Sequence, residues 1–487
     1  MLDWKSLYKI TGTLLWLEAA LMFVCFGMSV YYLEDDMLAF ILAVIITAAG
    51  GCACRYLGRD ADDQLGRKDA YMLVTATWII FSLFGMLPFL IGGYIHSFTD
   101  AFFETISGFT TTGASIIDDV ECLPHGILFW RTMTQWIGGL GIVFFTIALL
   151  PSLAGSGGNI KVFSAEATGP LRTKLHPRLS TNSHAIWMIY IVLTIACGAM
   201  YYVGGMDIFD AMNYSMTTTA TGGFATHNSS TVFFNSPFIE YTATLFMFLS
   251  GINFTLLYMG VIKRKVKDFV CDTELRLYVS IIVLATAIII YCLMAYNHYD
   301  IWRALRFGLF QVVSFTTSTG LFSDDVGIWN HVTWIILGIL MFLGGCAGST
   351  AGGIKTMRIV MVLKIIRNEF QQMLHPNAVL PVRVNNVIIP NTTRNKLLSF
   401  IMLYMMLFLV AATYFTAIGI DVTNSIMLCL SCLSNVGPTL DIGIGPAMSW
   451  AALPVACKWF CAALMLVGRL EILSVLILFT KEFWHSN

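Results

Sequence analysis

The sequence predicts an all-α integral membrane fold: two N-terminal transmembrane helices, then four pseudo-symmetric helix–pore loop–helix repeats around one pore. Three observations carry that reading. The chain is 57% hydrophobic and only 12% charged, with a mean hydropathy of +0.75, whereas a soluble domain keeps about a quarter of its residues charged. Its apolar segments match the roughly 20 residues that a helix needs to cross a ~30 Å hydrocarbon core. A short string rich in glycine and hydroxyl residues recurs four times between them.

The predicted spans cover approximately 10–33, 37–56, 71–95, 126–150, 184–204, 238–262, 277–297, 331–365, 396–420 and 452–480. Lys5 and Lys9 precede a first apolar stretch too long for a signal h-region, so it reads as a retained span. Basic residues gather around 55–68, 161–178, 263–267 and 367–396. Glu34, Asp35, Asp36, Asp118, Asp119, Glu121, Asp324, Asp325 and Asp441 fall in the opposite loops. By the positive-inside rule both termini are expected in the cytoplasm. The acidic outer face is either solvated loop or a device that concentrates cations at a pore mouth.

Between alternate pairs of spans lies a semipolar stretch too short to cross. The four end as Ser107-Gly-Phe-Thr-Thr-Thr-Gly113, Met216-Thr-Thr-Thr-Ala-Thr-Gly222, Ser314-Phe-Thr-Thr-Ser-Thr-Gly320 and Ser431-Cys-Leu-Ser-Asn-Val-Gly437. Aligned on the last glycine, Thr110, Thr219, Thr317 and Ser434 stand three positions earlier. A feature returning at near-constant period marks a repeat architecture. The expected units are 1–66 (N-terminal pair), 67–180, 181–270, 271–392 and 393–487. Small residues also recur in the following spans, at Gly138, Gly139, Gly251, Gly344, Gly345 and Gly468.

Irregular backbone at membrane depth survives only where protein buries it or it lines water. Four such loops around one axis satisfy both conditions. A ring of oxygen dipoles can replace a cation's water shell, and glycine permits the backbone to aim its carbonyls inward. An uncharged oxygen cage suits a weakly hydrated monovalent ion, since divalent cations usually require carboxylates. The expected ion-binding residues are Thr111, Thr112, Gly113, Ala220, Thr221, Gly222, Ser318, Thr319, Gly320, Asn435, Val436 and Gly437, with potassium as the leading ion.

These strings, with Gly344-Gly-Cys-Ala-Gly-Ser-Thr-Ala-Gly-Gly-Ile-Lys355 and Gly468-Arg-Leu-Glu471, resemble the Trk/Ktr/HKT superfamily of potassium-uptake membrane subunits. The resemblance covers about residues 5–485 and is nearest to the Trk-type (TrkH-like) branch. In that family the first filter position separates potassium permeation (Gly) from sodium preference (Ser), and Gly113 occupies it here. The fourth loop, Asn435-Val-Gly437, departs from the threonine pattern, so looser discrimination is expected than in a symmetric tetramer.

Five glycines fall within residues 344–353. Each costs a helix about 1 kcal/mol relative to alanine, so the third repeat's last span is expected to unwind there. Such a run either packs helices closely or, as the resemblance implies, forms a gate from Gly344, Gly345, Gly348, Ser349, Thr350, Gly352, Gly353 and Lys355. Lys355 is either an interfacial lysine or a holder of the closed state. Arg469 lies within the last predicted span, where a lipid-facing arginine costs at least ~2.5 kcal/mol. The resemblance places it in the pore below the filter as a barrier to cations; the alternative is an ion pair with Glu104 or Glu471.

The remaining polar positions carry less. Arg131, Gln135 and Asn253 are expected to bond across helices. Most of the twelve cysteines lie inside apolar runs, among them Cys25, Cys52, Cys197, Cys292, Cys346 and Cys461. They read as free buried thiols, with no Cys-x-x-Cys or Cys/His pairing of metal-ligand spacing. No catalytic constellation and no nucleotide-binding motif is found, so the chain is not expected to be an enzyme. The resemblance implies a bacterial cytoplasmic (inner) membrane, K+ as transported ion without a bound cofactor, a homodimer, and a cytosolic ring of nucleotide-binding RCK regulatory subunits. No nucleic-acid partner is expected. Rival expectations are a potassium symporter coupled to sodium or protons, and a less selective monovalent cation channel.

Overall fold

The computed structural model describes residues 2–61, 66–141, 179–378, 380–385, 387–439 and 449–485. The chain starts with an antiparallel hairpin of two long helices, α1 (Trp4–Tyr32) and α2 (Met37–Leu57). The Asp3 carboxylate caps α1 by accepting from the N–H groups of Lys5 and Ser6. A Cβ at Gly12 would stand 2.7 Å from the Gly51 carbonyl oxygen. Close approach at small residues is how helices associate where lipid gives no hydrophobic incentive.

Four units follow, each with an incoming span, a short inward helix, a return loop and an outgoing helix. The first has α3 (Arg67–Gly85), continued by α4 (Leu87–Ile91), then the inward α5 (Phe98–Phe109) and outgoing α6 (His125–Leu140). The second has α7 (Leu179–Val203), α8 (Ile208–Ala220), α9 (Pro237–Ser250) and α10 (Phe254–Leu257). The third has α11 (Thr273–Tyr296), α12 (Ile301–Thr316), α13 (His331–Leu343) and α14 (Thr356–Leu374). A two-stranded hairpin, Arg383–Val384 with Val387–Ile388, leads to the fourth: α15 (Asn391–Ala417), α16 (Val422–Ser434), α17 (Val455–Arg469) and α18 (Ile472–Leu476).

The inward helices have 12 to 16 residues, about 18–24 Å at 1.5 Å per residue, too short to cross. Asp207, Asp300 and Asp421 start three of them, each accepting a backbone N–H of the first turn. Among the described residues six helices are long and apolar enough to span a membrane, and up to eight do so if two bent pairs each count once. The chain is thus a multi-span membrane protein.

Two expected continuous spans are corrected. The 238–262 span bends by 99° after Ser250, and the 452–480 span bends by 113° after Arg469. The expected break within 331–365 is present between α13 and α14. The expected span 126–150 is helical through Leu140, and its remainder lies outside the described residues. So do the basic stretch 161–178 and Asp441.

Buried side chains form two large clusters. One joins α1 and α2 to the first and fourth units, with Phe40, Phe103, Ile127, Phe415 and Met465 at its centre. The other joins the second and third through Tyr201, Met247, Phe310 and Leu337.

Candidate functional site

The four inward helices end in one shared way. After each helix a residue turns left-handed: Thr111 (φ 53°), Thr221 (φ 55°), Ser318 (φ 54°) and Asn435 (φ 53°). The next residue donates its N–H back into the helix: Thr112 to Ser107, Gly222 to Thr217, Thr319 to Ser314 and Val436 to Ser431. Then comes a glycine at positive φ: Gly113 (80°), Gly223 (85°), Gly320 (76°) and Gly437 (92°). This is a helix stop of the Schellman kind, extended by one glycine that L side chains would strain.

The four loops meet in sequence. A Cβ at Gly113 would overlap the Gly222 carbonyl oxygen, one at Gly223 that of Thr319, one at Gly320 that of Val436, and one at Gly437 that of Thr112. Each glycine sits against the carbonyl preceding the next glycine, and the fourth returns to the first. The ring is closed.

This geometry corrects the register of the second loop. Its counterpart of Gly113 is Gly223, not Gly222, by backbone angle, hydrogen bond and neighbour alike. Thr221–Gly223 therefore stands where Thr111–Gly113, Ser318–Gly320 and Asn435–Gly437 stand in the others, and Ala220 ends the helix. The signal was present as two adjacent glycines, and alignment on the shared hydroxyl chose the wrong one.

Threonine hydroxyls brace the ring from within the protein. Thr110 Oγ1 donates to the Ile106 carbonyl at 2.7 Å and lies 2.8 Å from Thr112 Oγ1. Thr317 and Thr319 repeat the arrangement at 2.7 Å in both contacts. These threonine hydroxyls are thereby engaged within the protein. Asn435 Nδ2 ties the fourth loop to the first by donating to Thr112 Oγ1 at 3.0 Å. Gln135 holds the second: its Nε2 donates to Gly222 O at 2.7 Å, while its Oε1 accepts from Thr217 Oγ1 and the Phe224 N–H.

On one side of the ring the return strands line an open vestibule with Ser115, Asp118, Asn228, Ser230, Phe322 and Ser449 on its wall. His227 lies in that wall, with Nε2 3.0 Å from Asp210 and Nδ1 3.5 Å from Glu121, its ring stacked on Phe233. Burial opposes its charge, but the hydrogen bond and charge of Asp210, with Glu121 behind, outweigh it and raise the imidazole pKa.

On the other side lies the segment between α13 and α14. Gly344, Gly348, Gly353 and Lys355 all have positive φ there. Thr350 Oγ1 donates to the carbonyls of Thr219 and Ser250 at 3.2 Å. The Gly352 N–H donates to Ser318 Oγ at 2.5 Å and the Gly353 N–H to Ser434 O at 3.1 Å. The segment therefore touches the ends of three inward helices at once. Ser349 bonds locally, to Cys346 O, and Lys355 Nζ donates to Ala351 O. Glu274 Oε1 accepts the Ala347 N–H at 2.6 Å and fastens the segment to α11.

Arg469 ends α17 where the chain bends. Its Nη1 donates to Thr350 O at 2.9 Å, and its Nη2 to Gly138 O and Gly139 O at 2.6 and 2.7 Å. The guanidinium links the segment to the end of α6. Of the two carboxylates expected as its alternatives, Glu104 pairs with Arg131 at 2.9 Å and Glu471 with Arg358 at 2.6 Å.

Sequence reasoning missed three buried glutamates. Glu240 pairs with Arg306, Glu274 holds Ala347, and Glu18 in α1 lies against Gly85 with neither oxygen hydrogen-bonded among the described residues. It also missed a Cys-x-x-Cys pair, Cys429 and Cys432 on α16. Both are buried and free, as are Cys457 and Cys461 on α17. Among the described residues no group of three or more His, Cys, Asp or Glu is placed to hold a metal ion.

The comparisons agree with this architecture. A family model described as "TrkH: Cation transport protein" matches residues 37–486. The chain is 34% identical over 488 residues to the Trk system potassium uptake protein TrkH of Halomonas elongata, covering 99% of each chain. It is 33% identical over 488 residues to the protein of that name from Escherichia coli K12, covering 100% of both. Among solved structures, the potassium transporter TrkH from Vibrio parahaemolyticus superposes with a TM-score of 0.89 at 32% identity, over 99% of this chain and 100% of that one.

Proposed function

The chain belongs to the TrkH family of cation transport proteins, and from that premise we propose that it takes up potassium by passive permeation through the ring of four loops. The observation that carries the proposal is the closed sequence of glycine-to-carbonyl contacts around one axis. A dehydrated cation needs several oxygen dipoles at once, and such a ring offers them without fixed charge.

Thr111–Gly113, Thr221–Gly223, Ser318–Gly320 and Asn435–Gly437 form the filter in this reading, with Ala220 supporting it at the end of α8. The segment from Gly344 to Lys355 is the gate. Its bonds to three inward helices would close the path beneath the filter, and Arg469 would add a positive charge that repels cations there. Opening requires the segment to release Thr219, Ser318 and Ser434 together.

The units 67–180, 181–270, 271–392 and 393–487 act as four repeats, with 1–66 as an appendage. Both termini face the cytoplasm of a bacterial inner membrane, and the basic loops at 263–267 and 367–396 would face a cytosolic nucleotide-binding regulatory ring under a homodimer. The relatives' names as potassium uptake proteins support potassium as the ion.

Glu104, Glu240 and Glu471 have arginine partners, which favours permeation over ion coupling. Glu18 favours the coupled alternative, because an unpartnered intramembrane carboxyl is the group a proton-coupled carrier uses. Potassium flux into liposomes holding the purified chain, with and without sodium and proton gradients, separates the two. Flux that persists without either gradient supports permeation. Flux that needs one, and loses that need in Glu18→Gln, supports coupling.

A further inference from the structure

Arg131 and Glu104 form a buried ion pair behind the junction of the first two loops. They are 2% and 1% exposed. The carboxylate holds the strand leaving Gly113: both its oxygens lie 3.1 Å from Ser115 Oγ, and Oε2 accepts the Ile116 N–H at 2.9 Å. The guanidinium holds the strand leaving Gly223: Nη1 donates to Ala225 O at 3.3 Å, and its plane lies 4.2 Å from the Phe224 ring centre. Nη2 also donates to Ser115 Oγ at 3.2 Å.

We propose that the Glu104–Arg131 pair is a positioning device that sets the spacing of the first and second filter loops and thereby the ion preference. The inference rests on the permeation reading above. A buried ion pair adds little net stability over apolar side chains of equal volume, because desolvation offsets its attraction. What it supplies is fixed geometry, since the planar guanidinium presents five donors in a rigid fork. Here that fork spans two loops, at Ser115 and Ala225, each two residues beyond its positive-φ glycine.

Among the described residues the other junctions carry no ion pair between the return strands themselves, although Ser449 Oγ donates to the Asp118 carboxylate between the fourth and first loops, and Arg306–Glu240 and Lys458–Asp100 pair neighbouring units at their helices. Thr231 Oγ1 donates to Phe322 O at 2.5 Å between the second and third loops, and the Trp450 N–H donates to Ser115 O at 2.8 Å between the fourth and first. The charged brace thus falls beside Gly113. It also explains how an arginine can border a cation vestibule: Glu104 cancels its charge.

The test compares potassium-over-sodium preference of passive liposome flux in the wild type, Arg131→Lys, Glu104→Gln and the double variant Glu104→Gln/Arg131→Gln. Lysine keeps the charge beside Glu104 but lacks the fork that reaches both Ser115 and Ala225. Arg131→Lys and the double variant should still conduct, with preference lowered about tenfold, within the range that ~1 Å of misplacement produces at a preorganised site. Glu104→Gln should instead reduce entry of both cations, because it leaves Arg131 uncompensated. Wild-type preference in Arg131→Lys overturns the inference even if the double variant fails to insert. Wild-type flux that requires a sodium or proton gradient overturns the permeation reading itself, so the two failures are distinguishable.

Discussion

The carbonyl oxygen of Gly222 fills the space where a side chain on Gly113 would begin. The same relation links Gly223 to Thr319, Gly320 to Val436 and Gly437 to Thr112. Four loops far apart in sequence are thereby locked at one depth, and each glycine is required twice, by its positive φ and by its neighbour's carbonyl.

The corrected register gives a sharp comparison. Gly223→Ala forces a Cβ onto a left-handed backbone, a strain of about 1–2 kcal/mol, and onto the Thr319 carbonyl. Gly222→Ala meets the Gln135 side chain and disturbs its hydrogen bonds to the loop, but adds no left-handed backbone strain. Potassium-over-sodium preference in liposome flux should collapse in Gly223→Ala and fall less in Gly222→Ala. The reverse order would restore the alignment on Gly222.

Arg469 joins Thr350 to Gly138 and Gly139. Arg469→Ala removes both the tether and the charge, and basal potassium flux should rise on the order of tenfold, as a local field of that size allows. Arg469→Lys should give a smaller rise, because an ammonium keeps the charge without the planar fork. Rubidium uptake by the purified variants reads both.

Glu274 fastens the same segment from the other flank. Glu274→Ala removes a charge-assisted bond worth about 1.5–3 kcal/mol and leaves the Ala347 N–H unsatisfied. Closed-state flux should increase while the ion preference stays at the wild-type value, since the ring is untouched. A change of preference would show that the segment also shapes the filter.

His227 lies among Asp210, Glu121 and the Phe233 ring, with Asp207 next along the chain's turn into α8. Its pKa is raised in the folded protein, so the charged imidazole stabilises the vestibule wall fully below the unfolded value of about 6.5. That contribution to the vestibule wall is lost as pH rises through the folded pKa. Thermal stability of the purified chain should therefore decline over that rise, and His227→Gln should flatten the decline. An unchanged profile in the variant would assign the pH dependence elsewhere.

Much of this was legible in the sequence. Apolar length and the glycine strings predict the spans and the four inward loops, and the five glycines at 344–353 predict the break between α13 and α14. The bends after Ser250 and Arg469 were not read, although Gly251 and Gly468 stood there, because hydropathy averages over an interruption of two or three residues. The slip from Gly222 to Gly223 arose because two adjacent glycines offer equal sequence matches and only backbone angles choose between them. Arg131 was expected to bond across helices, but Glu104 as its partner was not legible, because pairing between separate helices leaves no local pattern.

The most direct test of the account is the potassium-to-sodium flux ratio of the purified chain in liposomes, measured for the wild type and Gly113→Ser without sodium or proton gradients. A hydroxymethyl group at Gly113 would press on the Gly222 carbonyl and disturb the ring at one contact. The account predicts passive flux that prefers potassium in the wild type and loses that preference in the variant. A variant that keeps the wild-type ratio would contradict the assignment of the ring as the filter.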